Sequence, residues 1–170
     1  MKSIFSSLFL ASVLFFISCK DSGTEVVKVD NFAIYRLSDT SMLTSVALTI
    51  PLDSLRLASS PFITSSELTV YYWATHSFIP VPALDTVLKR MSTSGGSVYG
   101  SPFVVTVGDE RIYLGSFWWA YSSLMPSVPY IELITPGPYA INAPPLSSDS
   151  DPRKDPRIRA SLRAAGILIE

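Results

Sequence analysis

The stretch Pro102 to Phe117, PFVVTVGDERIYLGSF, constrains the fold more than any other part of this chain. Two apolar runs flank Gly108-Asp109-Glu110. A glycine able to take an unusual backbone angle, followed by polar residues for an exposed turn, is the chemistry of a β-hairpin. A second hairpin is predicted from Val128–Ile134 through Thr135-Pro136-Gly137-Pro138 to Tyr139–Asn142. Asn31–Leu37 alternates as a strand, and Leu52–Leu57 reads as a second short one. His76–Val81 reads as another, with Pro80 placing it near a sheet edge or end.

Three segments carry helix signals. Thr64-Ser65-Ser66-Glu67 matches a capping box, in which hydroxyl and carboxylate each satisfy a free backbone donor. It opens either a short helix from Ser65 to about Trp73 or a strand, since Thr69, Val70 and two tyrosines suit both. Pro82 starts a stronger helix in which Leu84, Val87, Leu88 and Met91 form one apolar stripe, with Gly95-Gly96 beyond its end. Asp155-Pro156 is an N-cap and first-turn pair for a terminal helix with Ile158 and Leu162 on one face and Gly166 as its stop. The predicted fold class is α+β: a mostly antiparallel sheet, two to three short helices packed on one face, and two hairpins near the C-terminal half.

The N-terminus has the three-part form of an export signal. Lys2 is positive, Ile4 to Ile17 is apolar or small, and Ser18 precedes Cys19. The apolar run falls short of the roughly 20 residues that span a bilayer as a helix. Phe16-Ile17-Ser18-Cys19 resembles a bacterial lipobox, although Phe16 stands where leucine is usual. The resemblance implies that Cys19 is acylated, with fatty acids such as palmitate, and becomes the new N-terminus. An ordinary signal peptide that includes a cysteine is the alternative. Cys19 is the only cysteine and falls at the cleavage point, which favours the lipoprotein.

The predicted organisation is a signal peptide (1–18), a lipidated cysteine and tether (19–30), an α+β domain (31–142), and a Pro- and Ser-rich linker with a C-terminal helix packing on or beside it (143–170). Lys20 rather than aspartate follows Cys19, which favours the outer over the inner membrane and leaves the side it faces open. Removing 18 of 170 residues leaves a chain sized for one domain. The 13 basic residues include Lys2, so the remainder carries 12 against 14 acidic ones. That balance is no footprint for nucleic acid, and one cysteine allows no internal disulfide.

The order of these pieces is similar to the head subdomain of the periplasmic region of the SecD protein-export factor. The likeness runs over residues 31–142, with landmarks at Gly100, Gly108-Asp109-Glu110, Pro129 and Gly137. It implies an antiparallel sheet covered by helices on one side, and at most an accessory role in export or envelope assembly. The chain also resembles uncharacterised bacterial lipoproteins that end in a DPRxDPRI segment, here Asp151 to Ile158.

No motif defines a reaction. His76 is the sole histidine, so a nucleophilic hydrolase would have to use it; between Thr75 and Ser77 it reads instead as a hydrogen-bonded structural residue. One histidine and no free cysteine are the wrong ligand set for zinc. Asp149, Asp151 and Asp155 lack the glycine and distal glutamate of a calcium loop and read as turn and cap residues. Arg153, Lys154, Arg157, Arg159 and Arg163 read as the solvated face of the terminal helix. The aromatic clusters carry the functional expectation. Trp118, Trp119 and Tyr121, and then Trp73, are the candidate ligand-binding residues. Adjacent strand residues face opposite ways, so either Trp118 or Trp119 is expected partly exposed, or covered by the tail or terminal helix. An exposed aromatic shelf holds sugars or peptides. The expected function is a non-enzymatic envelope lipoprotein with no metal and no cofactor beyond the lipid on Cys19. Its partners are the bilayer and a protein, peptide or glycan.

Overall fold

The computed structural model describes residues 31–133, 138–146 and 150–170. The signal peptide, Cys19 and the tether lie outside the described residues, as do Thr135 to Gly137 of the second hairpin and Asp149. The strands are β1 (Phe32–Arg36), β2 (Ile63–Thr64), β3 (Leu68–Tyr72), β4 (Ser77–Pro80) and β5 (Ser101–Val107). They continue as β6 (Glu110–Trp119), β7 (Tyr130–Leu133), β8 (Tyr139–Asn142) and β9 (Leu168–Ile169). The helices are α1 (Thr44–Ala47), α2 (Pro82–Ser94) and α3 (Pro156–Ala164).

Among the described residues, all nine strands belong to one sheet, ordered β2-β1-β5-β6-β7-β8-β4-β3-β9, parallel only at β6–β7 and β3–β9. Its shape follows from one connection. β2 and β3 stand seven strand spacings apart in this order, roughly 34 Å across a flat sheet. Only Ser65–Glu67 separates them in sequence, a single 3-10 turn that spans about 10 Å at most. The sheet therefore rolls into an incomplete barrel. Phe32 of β1 meets Tyr71 of β3 across the interior, ring centroids 6.3 Å apart. The turn that forces the roll is the predicted capping box, with the Glu67 carboxylate accepting from the Thr64 N–H at 2.8 Å. Of the two readings after Thr64, the chain takes this turn and then a strand.

The fold class is the predicted one. The inward residues of the rolled sheet, among them Phe32, Ile34, Phe103, Val105, Phe117, Ile131 and Ile141, form the main core. Leu84 and Leu88 of α2 and Ile158 and Leu162 of α3 close over it. The terminal helix is thus part of the core, and Ser161 Oγ accepts from the Phe32 N–H at 2.7 Å. A smaller cluster lies on the other side of β5 and β6, where Ala47 of α1 packs with Leu37, Leu55 and Val104.

Two expectations are corrected. Leu52–Leu57 is no strand: it is a 3-10 turn over Leu52–Ser54 with one bridge from Leu57 to Leu37. The Arg111 guanidinium takes the Leu52 and Leu55 carbonyls at 2.6 and 2.7 Å, so they serve an arginine instead of a neighbouring strand. Val87 is 38% exposed and stands outside the α2 stripe. On α3, Arg157, Arg159 and Arg163 are exposed, as the solvated-face reading expects, and they also pair there, Arg157 with Asp155 and Glu110 and the other two with Glu170, while Arg153 pairs with Asp151 in the turn before the helix.

Candidate functional site

The strands give the domain two poles. The Gly108 N–H bonds the Asn31 carbonyl at 3.0 Å, so the described chain starts beside the β5–β6 turn. Gly108 has φ +59 there, the backbone angle for which the hairpin needs glycine. β1 runs from Phe32, opposite Val107, to Arg36, opposite Phe103. Arg36, Ser101 at the start of β5 and Trp119 at the end of β6 therefore mark the far pole. A seven-residue strand separates the poles by roughly 23 Å.

At the far pole the rolled sheet opens into a cleft of about 360 Å³. Met91, Trp119 and Met42 supply apolar surface, Thr40, Ser94 and Ser101 supply hydroxyls, and Gly95, Gly96 and Gly100 supply backbone. Arg36 is the one charged residue of the lining. Beside the cleft, the Tyr121 hydroxyl donates to the Gly96 carbonyl (2.7 Å) and accepts from the Gly96 N–H (2.6 Å). Ser122 Oγ donates to the Val98 carbonyl at 2.7 Å, so loops 95–100 and 120–127 form one tied rim. Its apolar side chains Val98, Tyr99, Tyr121, Leu124 and Met125 are all exposed, Met125 at 67%.

The four aromatic candidates do not form one shelf. Trp119 is buried, with its indole N–H on the Met91 carbonyl at 3.1 Å, and reaches the surface only as part of the cleft lining. Trp118 is buried on the opposite face of β6. Neither indole is partly exposed, against the first of the two expected arrangements, and two glycines of a single loop let its backbone cover both. A Cβ on Gly96 would stand 2.2 Å from the Trp119 ring, and one on Gly100 would stand 2.7 Å from the Trp118 ring. Lacking those carbons, the loop backbone lies directly on both rings. Gly95-Gly96 looked in the sequence like a helix stop alone. A glycine pair beside a tryptophan pair could have signalled this close approach. Tyr121 is the exposed member of the set, at 56%. Trp73 is half-buried and stands elsewhere, against His76 and under the Arg159 guanidinium of α3. α3 belongs to the Asn31 pole, where Arg157 pairs with Glu110.

His76 is buried, with φ 51 in the left-handed region. Its Nδ1 lies 3.2 Å from the Tyr71 hydroxyl, and its ring makes edge contacts with Tyr71 and Trp73. Burial, and then the Arg153 charge, push its pKa down to about 4, so the imidazole is neutral. The neighbouring Thr75 and Ser77 hydroxyls bond each other at 2.7 Å. Asp151 is gripped by Arg153 at 2.9 and 2.7 Å, which holds its carboxyl below the usual range. Among the described residues, this is a packed polar cluster without a serine on the imidazole. Asp151 and Asp155 cap the turn at Pro152 and the start of α3, as expected.

The fold and the far-pole opening define a class: an α+β domain with a rolled, nearly closed sheet and a small mixed cleft in its mouth. Comparison with protein-family models, curated proteins and solved structures returns no match.

Proposed function

We propose that this chain is a lipid-anchored, non-enzymatic binding module of a bacterial cell envelope, with the outer membrane as its site. The far-pole cleft and its apolar rim contact a protein, peptide or glycan partner. The observation that supports this reading is placement. The described chain begins at one pole, with the anchor residue Cys19 upstream of it, and the exposed apolar rim stands at the other. A segment the length of residues 19–30 reaches about 40 Å at most, more than the distance between the poles, which leaves the rim free to reach a partner away from the bilayer. The mechanism is positional: acyl chains hold the domain at the membrane and the rim makes the contact.

Two measurements test it. Mass spectrometry of the mature N-terminus should find acyl groups on Cys19, and an unmodified Cys19 or cleavage elsewhere sinks the anchor. A photo-crosslinker placed at Tyr121 in intact envelopes should give discrete adducts, while one at Asp109, on the other pole, should not. Adducts from Asp109 alone would reverse the assignment. The identity of the adduct separates a peptide or glycan ligand from an export or assembly machine.

A further inference from the structure

We propose, resting on the reading of the far pole as the contact surface, that its cleft takes a carboxylate and that Arg36 holds it. Arg36 is half-buried, and its guanidinium lies over the Phe62 ring at 5.7 Å from the centroid. Among the described residues that guanidinium donates no hydrogen bond and joins no ion pair. Most other arginines of this domain are spent: Arg111 on two carbonyls, and Arg153, Arg157, Arg159 and Arg163 on carboxylates. An arginine presents five donors in a planar fork that matches a carboxylate in two parallel bonds. A partly desolvated cation with its fork unfilled is the recognition element this cleft offers.

The surroundings favour the same ligand. Among the described residues, no aspartate or glutamate lines the cleft. The nearby Asp39 accepts from the Ser41 N–H and hydroxyl at 2.9 and 2.6 Å and does not pair with Arg36. The end of α2 adds an opposing partial charge of about half a unit against the full unit of Arg36. Its Met91 carbonyl is already covered by Trp119 Nε1 and Ser94 Oγ. Thr40 and Ser101 line the same cleft and carry hydroxyls that can serve as further donors. A volume of about 360 Å³ is at the small end of ligand sites, enough for a chain end or one sugar ring. Two sources share this chemistry: the terminal carboxylate of a peptide and a uronic-acid sugar.

The full chain in detergent micelles is titrated with trialanine, trialanine amide, glucuronic acid and glucuronic acid methyl ester, following tryptophan fluorescence, since Trp119 lines the cleft. At least one acid should bind saturably and its uncharged counterpart about tenfold or more weaker, the usual effect of losing a charge-assisted bond. The acid that binds identifies the source. Arg36→Met keeps an apolar stem over Phe62 and should lose the same factor at an unchanged melting temperature, with Arg36→Lys between the two. Should Arg36→Met fail to fold, the acid-against-amide and acid-against-ester comparisons on the wild type decide. Equal binding of charged and uncharged forms, binding of neither acid, or an Arg36→Met protein that binds like the wild type overturns the proposal. If Tyr121 adducts persist in that case, only the ligand class fails; if they vanish too, the binding-module reading fails with it.

Discussion

His76 shows how much one residue can commit without chemistry. A β-unbranched ring is held at φ 51, away from water, against Tyr71 and Trp73. An unfolded imidazole titrates near 6.5, whereas burial holds this one to about 4 in the fold. The fold therefore stabilises the neutral form. That contribution is complete above pH 6.5 and is lost as pH falls toward 4, amounting to about 3 kcal/mol at most. Asparagine tolerates the left-handed backbone but does not titrate, so His76→Asn is the control. The stability advantage of wild type over His76→Asn should shrink between pH 6.5 and 4.5 in chemical denaturation. A difference independent of pH would remove the imidazole as its source. The sequence suggested a hydrogen-bonded structural role for His76. It could not show that the partner is a phenol five residues earlier, because that contact needs the turn between β3 and β4.

Among the elements, α3 is the one whose sequence signals translate most directly. Asp155 accepts from the Arg157 N–H at 2.9 Å, Pro156 fills the first turn, and Ile158 and Leu162 are fully buried. Local capping and core packing predict different costs. Asp155→Ala should lower stability by about 1 kcal/mol, the usual effect of a lost N-cap. Leu162→Ala should cost about 2–5 kcal/mol, because it opens a cavity under the helix. Denaturation midpoints that rank the two the other way would mean that α3 holds by its cap and not by the core. α2 was legible to a lesser degree. Its proline start and its Leu84, Leu88 and Met91 row are as read, but Val87 falls about 60° from Leu84 on the helical wheel, at the margin of the contact. Periodicity marks a face; the width of the face is set by what it packs on.

The whole molecule depends on how its rolled sheet ends. β9 lies along the free edge of β3, with the Tyr71 and Trp73 N–H groups donating to the Ile167 and Ile169 carbonyls at 2.8 and 2.7 Å. Glu170 fastens this strand to Arg159 and Arg163 of α3. Deleting residues 167–170 should strip the edge, lower the melting temperature and leave unpaired strand donors that drive concentration-dependent self-association in size-exclusion chromatography. A truncated chain that stays monomeric and melts like the full one would show that β9 is ornament to the fold. The same scale decides the site. The cleft gathers residues from 36–43, from 91–101 and Trp119 at the end of β6, three stretches of the chain that the rolled sheet brings together.

By itself the sequence determined the local pieces: the Gly108 hairpin, the capping box at Thr64, the proline-led α2 and the Asp155 cap of α3. Each depends on residues a few positions apart, where backbone angles and short hydrogen bonds leave little choice. It also carried the fold class, since those pieces can bury their apolar faces in few ways. Only the tertiary structure decided which aromatics are core and which are surface, that two glycines lie on Trp118 and Trp119, and that Arg36 has no ion-pair partner among the described residues of its cleft. Those outcomes are set by long-range packing, in which a residue's neighbours come from distant parts of the chain and no local pattern records them.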